Sequence, residues 1–180
     1  MTGREDSSLV KDCTQGRPEA FDVLVDRYYK VLFNVALRIV GDSEEARDIT
    51  QTTFMKAYEK LHTYDPKYKF FSWIYRIAVN ESLNTTGRRR PSEPLDVQLV
   101  ERGDTPEQIF EKNRLHETIQ AALMKLSIEQ RQVVVLRHFG DLSYRDIASA
   151  LAIPEKTVKS RLFAARRQLC TILIGGRATT

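Results

Sequence analysis

The sequence predicts an all-α chain: two small helical domains joined by a flexible acidic linker. Three observations carry this. Apolar residues recur at helical spacing in both halves, as in Phe21, Leu24, Tyr28, Leu32, Val35 and Ile39. Strand-like alternation is absent throughout. Between the halves, Pro91 to Glu111 holds Pro91, Pro94 and Pro106 with six acids against one base, a local net charge of −5. Such a stretch reads as a linker, whether an inert tether or a working one. With 180 residues the chain has room for two small domains, read as 1–90 and 112–174, with linker 91–111 and a disordered tail 175–180.

The helix from Phe21 to Ile39 is closed by Gly41, and Asp42 opens the next with Glu45 completing a capping box. Helix 43–61 has an inner stripe of Ala46, Ile49, Thr53 or Phe54, Ala57 and Leu61. Its outer face holds Asp48, Gln51, Thr52, Met55 and Glu59. His62 to Lys69, with Pro66, is a loop. Ser72 is the expected cap of a helix reaching about Thr86, with Phe70, Ile74, Ile77 and Ala78 on its core side. In the second domain Leu115, Ile119, Ala122 and Leu126 mark one helix. Ser127 starts another, with Val133, Val134 and Leu136 on its apolar side.

Residues 143–169 then spell a helix-turn-helix. Ser143 caps a short helix containing Ile147, Ala148 and Leu151, Ala152-Ile153 break it, and Pro154 suits the first turn of its successor. There Val158, Leu162, Ala165 and Leu169 share one stripe, while Lys156, Ser160, Phe163 and Arg167 point away, flanked by Lys159 and Arg166. From Glu155 to Arg177 six bases face one acid. The local net of +5 exceeds the +4 of the whole chain, so positive charge is concentrated on this helix. A solvated surface helix is the plain alternative. Helix, turn and basic second helix together favour insertion into a DNA major groove.

The first domain carries a second candidate face. Trp73, Arg76, Asn80 and Asn84 form one strip of their helix, and the loop before it adds Tyr64, Lys67, Tyr68, Lys69 and Phe71. Rings interleaved with cations suit unstacked bases and a phosphate backbone, and Arg88 and Arg89 add charge at the helix end. Trp73 and Phe71 taken singly read more readily as core residues.

Composition excludes other classes. No apolar run approaches the roughly 20 residues of a membrane span. The first residues lack a signal-peptide pattern, so a cytoplasmic location is expected. Cys13 and Cys170 lack metal-ligand spacing, and Cys170 reads as reduced and partly buried. His62, His116 and His138 are scattered, and no phosphate loop or hydrolase motif occurs. No cofactor, no metal and no catalytic residue are expected.

Three segments carry a family resemblance: DSEEARDITQTTFMKAYEKL (42–61), FFSWIYRIAVNESLNTTGRRR (70–90) and LSIEQRQVVVLRHFGDLSYRDIASALAIPEKTVKSRLFAARRQL (126–169). Together, and in this order, they resemble bacterial RNA polymerase sigma factors of the sigma-70 family, extracytoplasmic-function group. The resemblance implies a non-enzymatic initiation factor that binds core RNA polymerase and directs it to promoter DNA. It implies docking on the clamp helices of the largest subunit through Asp48, Gln51, Thr52 and Met55, with a further contact at the flap region. The first domain would capture the melted minus-ten strand. The second would read the minus-thirty-five duplex through Arg137, Lys156, Lys159, Ser160, Phe163, Arg166 and Arg167. The loop HTYDPKYKFF departs from the glycine- or serine-containing, arginine-bearing segment of many relatives, so the preferred flipped base stays open. An anti-sigma partner covering these faces is also implied. From the residues alone, a free-standing helix-turn-helix repressor or activator and a pure interaction adaptor remain the rival classes.

Overall fold

Gly41 and Asp42 divide the first apolar run, as the computed structural model makes plain. Gly41 has φ 83°, a left-handed conformation that closes a helix at no Cβ cost, and its N–H bonds to the Leu37 carbonyl. Asp42 is extended and accepts from the Glu45 N–H at 2.8 Å. Helices α2 (Glu19–Val40) and α3 (Ser43–Glu59) therefore fold back on each other. The structure describes residues 5–86 and 105–175, all helix and connection with no strand among them.

Helix α1 (Asp6–Thr14) precedes them and has no counterpart among the sequence expectations. Its Leu9 and Val10 are buried, and the Asp6 carboxylate accepts from the Arg27 guanidinium and the Tyr28 hydroxyl of α2. A short 3-10 turn follows α3, and α4 (Phe70–Thr86) completes the first domain. The start of α4 corrects the expected cap. The N–H groups of Ser72 and Trp73 bond to the Lys69 carbonyl at 3.0 and 3.3 Å, so Ser72 lies inside the first turn. Its hydroxyl is buried without a hydrogen-bond partner.

The second domain comprises α5 (Pro106–Met124), α6 (Ile128–His138), α7 (Tyr144–Leu151) and α8 (Glu155–Gly175). Helix α5 begins inside the stretch read as linker. Pro106 is tolerated at a first helical position, and Glu107 favours a helix N-terminus. The remaining linker residues up to 104 and the tail from 176 lie outside the described residues, as do Arg88 and Arg89. Ser127 and Gln130 form a reciprocal capping box, as do Ser143 and Asp146. The α7–α8 turn is made by Ala152 at φ 52°, with the Ile153 N–H returning to the Ala148 carbonyl at 3.0 Å. Pro154 stands just before α8 rather than within it, and its carbonyl accepts from Thr157 and Val158.

The buried apolar residues of the two domains form a single cluster. One apolar core runs through both domains, from Leu24 and Ile39 to Leu136 and Leu162. Helix α7 packs on α4, and α5 and α6 pack on α2. Gly140 lets backbone approach the buried Tyr75 ring, where an added Cβ would stand 3.2 Å from the hydroxyl. Buried Arg131 ties α5, α6 and α2 together. Its Nη1 donates to the Ile39 carbonyl at 2.6 Å, and its other nitrogens donate to Leu123, Met124 and Leu126 carbonyls.

Candidate nucleic-acid interface

Helix α8 has the predicted register. Val158, Leu162 and Ala165 are buried against α6 and α7, Leu169 is half-buried, and Lys156, Lys159, Ser160, Phe163, Arg166 and Arg167 are exposed. Phe163 is 66% exposed, with the Arg167 guanidinium 5.9 Å from its ring centre. An apolar disc flanked by cations can meet thymine methyls while the cations meet guanine edges and phosphates. Arg137 is half-buried and turned to the loop ahead of α7. It donates to the Leu142 carbonyl at 2.9 Å and lies 5.5 Å over the Tyr144 ring. His138 beside it is held below its usual pKa, first by partial desolvation and then by the Arg166 and Arg137 charges. Cys170 corrects the expectation of burial: it is exposed, about 100° around the helix from Leu169.

In the first domain the aromatic loop divides into a wall and a platform. Tyr64 is buried, its ring 5.5 Å from Phe70 and 5.7 Å from Trp73, and its hydroxyl donates to the Tyr68 carbonyl at 2.7 Å. Half-buried Phe71 packs edge-on against Tyr75 at 4.2 Å and beside Tyr28 at 5.3 Å. These rings build the wall, and burial raises the Tyr64 pKa. Tyr68, at 58% exposure, presents an open face, with Lys67 and Lys69 exposed on either side. An Asx turn shapes the loop, the Lys67 N–H donating to Asp65 Oδ1 at 3.0 Å.

Arg76 and Asn80 are exposed on α4, Trp73 is half-buried, and the Asn84 side chain lies outside the described residues. Tyr64, Tyr68, Trp73 and Arg76 surround a cleft of about 380 Å³, with Asp65 and Ser72 also lining it. The unpartnered Ser72 hydroxyl at this cleft had no sequence signal, because a serine near a helix start reads as a cap. Ser149, which also lines the cleft, comes from α7 in the other domain and was equally invisible.

A third face is on α3. Asp48, Gln51 and Met55 are exposed and Thr52 is half-buried, opposite buried Ala46, Ile49, Thr53 and Ala57. Met55 is 65% exposed, a flexible apolar side chain among short polar ones. Among the described residues no helix is long and apolar enough to cross a membrane, and no cluster of potential metal ligands occurs.

A basic helix-turn-helix joined to a bundle with an aromatic, cationic cleft defines a DNA-binding protein of transcription. Likeness to known proteins narrows this class. Residues 24–91 match the family model for sigma-70 region 2, and residues 116–169 match that for sigma-70, region 4. The chain is 33% identical to the RNA polymerase sigma-H factor of Pseudomonas aeruginosa, covering 94% of each chain. It is also 33% identical to the extracytoplasmic-function sigma factor SigW of Bacillus subtilis, covering 89% of this chain and 92% of that one. Among solved structures, CnrH in complex with the cytosolic domain of CnrY shares the fold at TM-score 0.74 and 26% identity, over 94% of this chain and 97% of that one. The chain belongs to the extracytoplasmic-function group of the sigma-70 family of RNA polymerase sigma factors. It is therefore a promoter-directing initiation factor rather than an enzyme.

Proposed function

We propose that the two domains divide promoter recognition between them. Helix α8 reads the minus-thirty-five element in the major groove through Lys159, Ser160 and Phe163, with Lys156, Arg166 and Arg167 on phosphates. Arg137 supports the loop that orients α7 and adds charge beside it. The first domain holds the melted non-template strand of the minus-ten element. Tyr68 offers a stacking face worth about 1–3 kcal/mol per base. Lys67, Lys69, Arg76 and Asn80 follow the backbone or base edges, and Asn84, Arg88 and Arg89 extend that track. Tyr64, Phe71 and Trp73 form the wall against which a flipped base rests. The observation that carries this reading is the 380 Å³ cleft with a buried, unsatisfied Ser72 hydroxyl beside exposed Arg76.

Asp48, Gln51, Thr52 and Met55 dock on the clamp helices of the polymerase. The apolar groove between α5 and the end of α8, lined by Leu115, Ile119 and Leu173, accepts a helix of the flap region. Serving RNA polymerase on promoter DNA, the protein acts in the cytoplasm. An anti-sigma factor is its natural inhibitor, on the pattern of CnrH held by the cytosolic domain of CnrY.

The test is run-off transcription with purified core polymerase on a promoter library. Selective initiation that depends on this chain is the expected result. Asp48→Arg or Gln51→Arg lowers core affinity while the thermal transition stays in place. Absence of both core binding and selective initiation would defeat the reading.

A further inference from the structure

Two cations end α6, Arg137 and His138, and a third, Arg166, meets them from the exposed side of α8. Arg137 is fixed in place by its bond to the Leu142 carbonyl and by the Tyr144 ring beneath it. His138 is exposed, and Arg166 lies one turn beyond Phe163 on the face read as meeting DNA. Among the described residues no carboxylate forms an ion pair with any of the three.

Two effects compete at the imidazole. The carbonyl end of a helix favours a protonated ring. Partial desolvation, and then the Arg166 and Arg137 charges, oppose it and prevail, so the pKa lies below the ordinary value. At pH 7 the ring is therefore largely neutral. The other charged groups on elements packed against α6 are placed differently. Arg38 of α2 lies over the Phe139 ring, and Asp146 of α7 takes the Ser143 hydroxyl at 2.6 Å. Arg145 of α7 and Asp141 of the preceding loop are exposed, and Glu129 stands at the opposite end of α6 with Arg161 of α8 near it.

An anion reverses this balance. Two arginines alone repel an imidazolium, whereas two arginines around a phosphate oxygen are neutralised, and that oxygen accepts a charge-assisted hydrogen bond from the protonated ring. A duplex whose major groove holds α8 presents such oxygens along both rims of the groove.

We propose that Arg137, His138 and Arg166 form one site for a backbone phosphate of the duplex read by α8, and that His138 takes up a proton as this phosphate binds, so that promoter affinity falls as pH rises through neutrality. The inference rests on the major-groove reading of α8. The sign follows from linkage: the ring holds its proton more tightly in the complex than in the free chain, so lower pH favours the complex. A bound-state pKa higher by about one makes affinity up to tenfold stronger at pH 6 than at pH 8.

Two measurements on holoenzyme assembled with the full chain test this, using a Cy3-labelled promoter duplex selected by run-off transcription. First, affinity is followed from pH 6 to pH 8. Wild type is expected to gain up to about tenfold toward pH 6 relative to His138→Gln, while His138→Arg, charged throughout, binds at pH 8 about as wild type does at pH 6. A pH profile of His138→Gln parallel to that of wild type overturns the proposal. Second, the phosphates flanking the minus-thirty-five element are replaced one at a time by uncharged methylphosphonate. One position is expected to abolish the wild-type excess over His138→Gln, and the absence of any such position overturns the site. Lys159→Ala and Phe163→Ala separate the two readings. If neither weakens promoter binding, the major-groove reading falls and takes the phosphate site with it. If they weaken it while the pH profiles stay parallel, the phosphate site alone falls.

Discussion

Leu162 and Phe163 are neighbours on α8 with opposite surroundings, and truncating each in turn tests the register of the reading helix. Leu162 is 2% exposed and Phe163 66%. Leu162→Ala removes buried methyl groups and leaves a cavity, costing about 2–5 kcal/mol. For a chain of this size each kcal/mol shifts Tm by about 2–4 °C, so the loss is roughly 4–20 °C. Phe163→Ala touches no core residue and shifts stability by less than about 0.5 kcal/mol, within ~2 °C. On the proposed reading it removes instead a base-facing ring, a contact worth about 1–3 kcal/mol of discrimination, and so lowers selective run-off initiation roughly 5- to 150-fold. Thermal unfolding by circular dichroism, paired with transcription, reads both effects. Equal losses of Tm for the two variants would mean that α8 is rotated by about 100° and its basic face turned indoors. The assignment of the reading face would then fall.

Three further outcomes are expected. Arg131→Met leaves the Ile39, Leu123, Met124 and Leu126 carbonyls without their charged donor, and Tm falls by about 6 °C or more in the same melt. Lys156→Ala or Arg166→Ala removes one of the proposed phosphate contacts, and the slope of log affinity against log salt for the promoter-bound holoenzyme shrinks by about 0.9. Tyr75 and Tyr28 both have raised pKa values, burial being the main cause. The folded chain keeps these protons above pH ~10, where the unfolded chain releases them, so their contribution is intact below that pH and lost as pH rises. Tyr75→Phe flattens this alkaline limb in urea titrations at several pH values. It also deletes an unpartnered buried hydroxyl, leaving stability at pH 7 unchanged or up to ~1 kcal/mol higher.

Local signals were the legible ones. Gly41 with Asp42, and Ser143 with Asp146, act through bonds spanning a few residues, so the sequence contains both partners side by side. The stripe of Val158, Leu162 and Ala165 is long enough for its period to fix which face is buried. Helix α1 offered only Leu9 and Val10, too little for a period to emerge. Pro106 and its acids read as a linker because the features that break a helix interior are those that begin a helix. Tyr64 beside two lysines read as an open ring, and only the fold shows it wedged against Phe70 and Trp73. The junction of the two domains has no sequence period at all. Arg131 with Ile39, and Arg76 with Ser149, are pairs 92 and 73 residues apart in the chain, and nothing local announces them.

Trp73 is the chain's single tryptophan, and it stands in the wall of the cleft between Tyr64 and Arg76. The molecule thus carries its own optical probe at the proposed point of strand entry. A base stacked nearby will quench indole emission without any attached dye. The second domain contains no tryptophan, so the signal reports on this cleft, including the wall that Ser149 of α7 contributes to it.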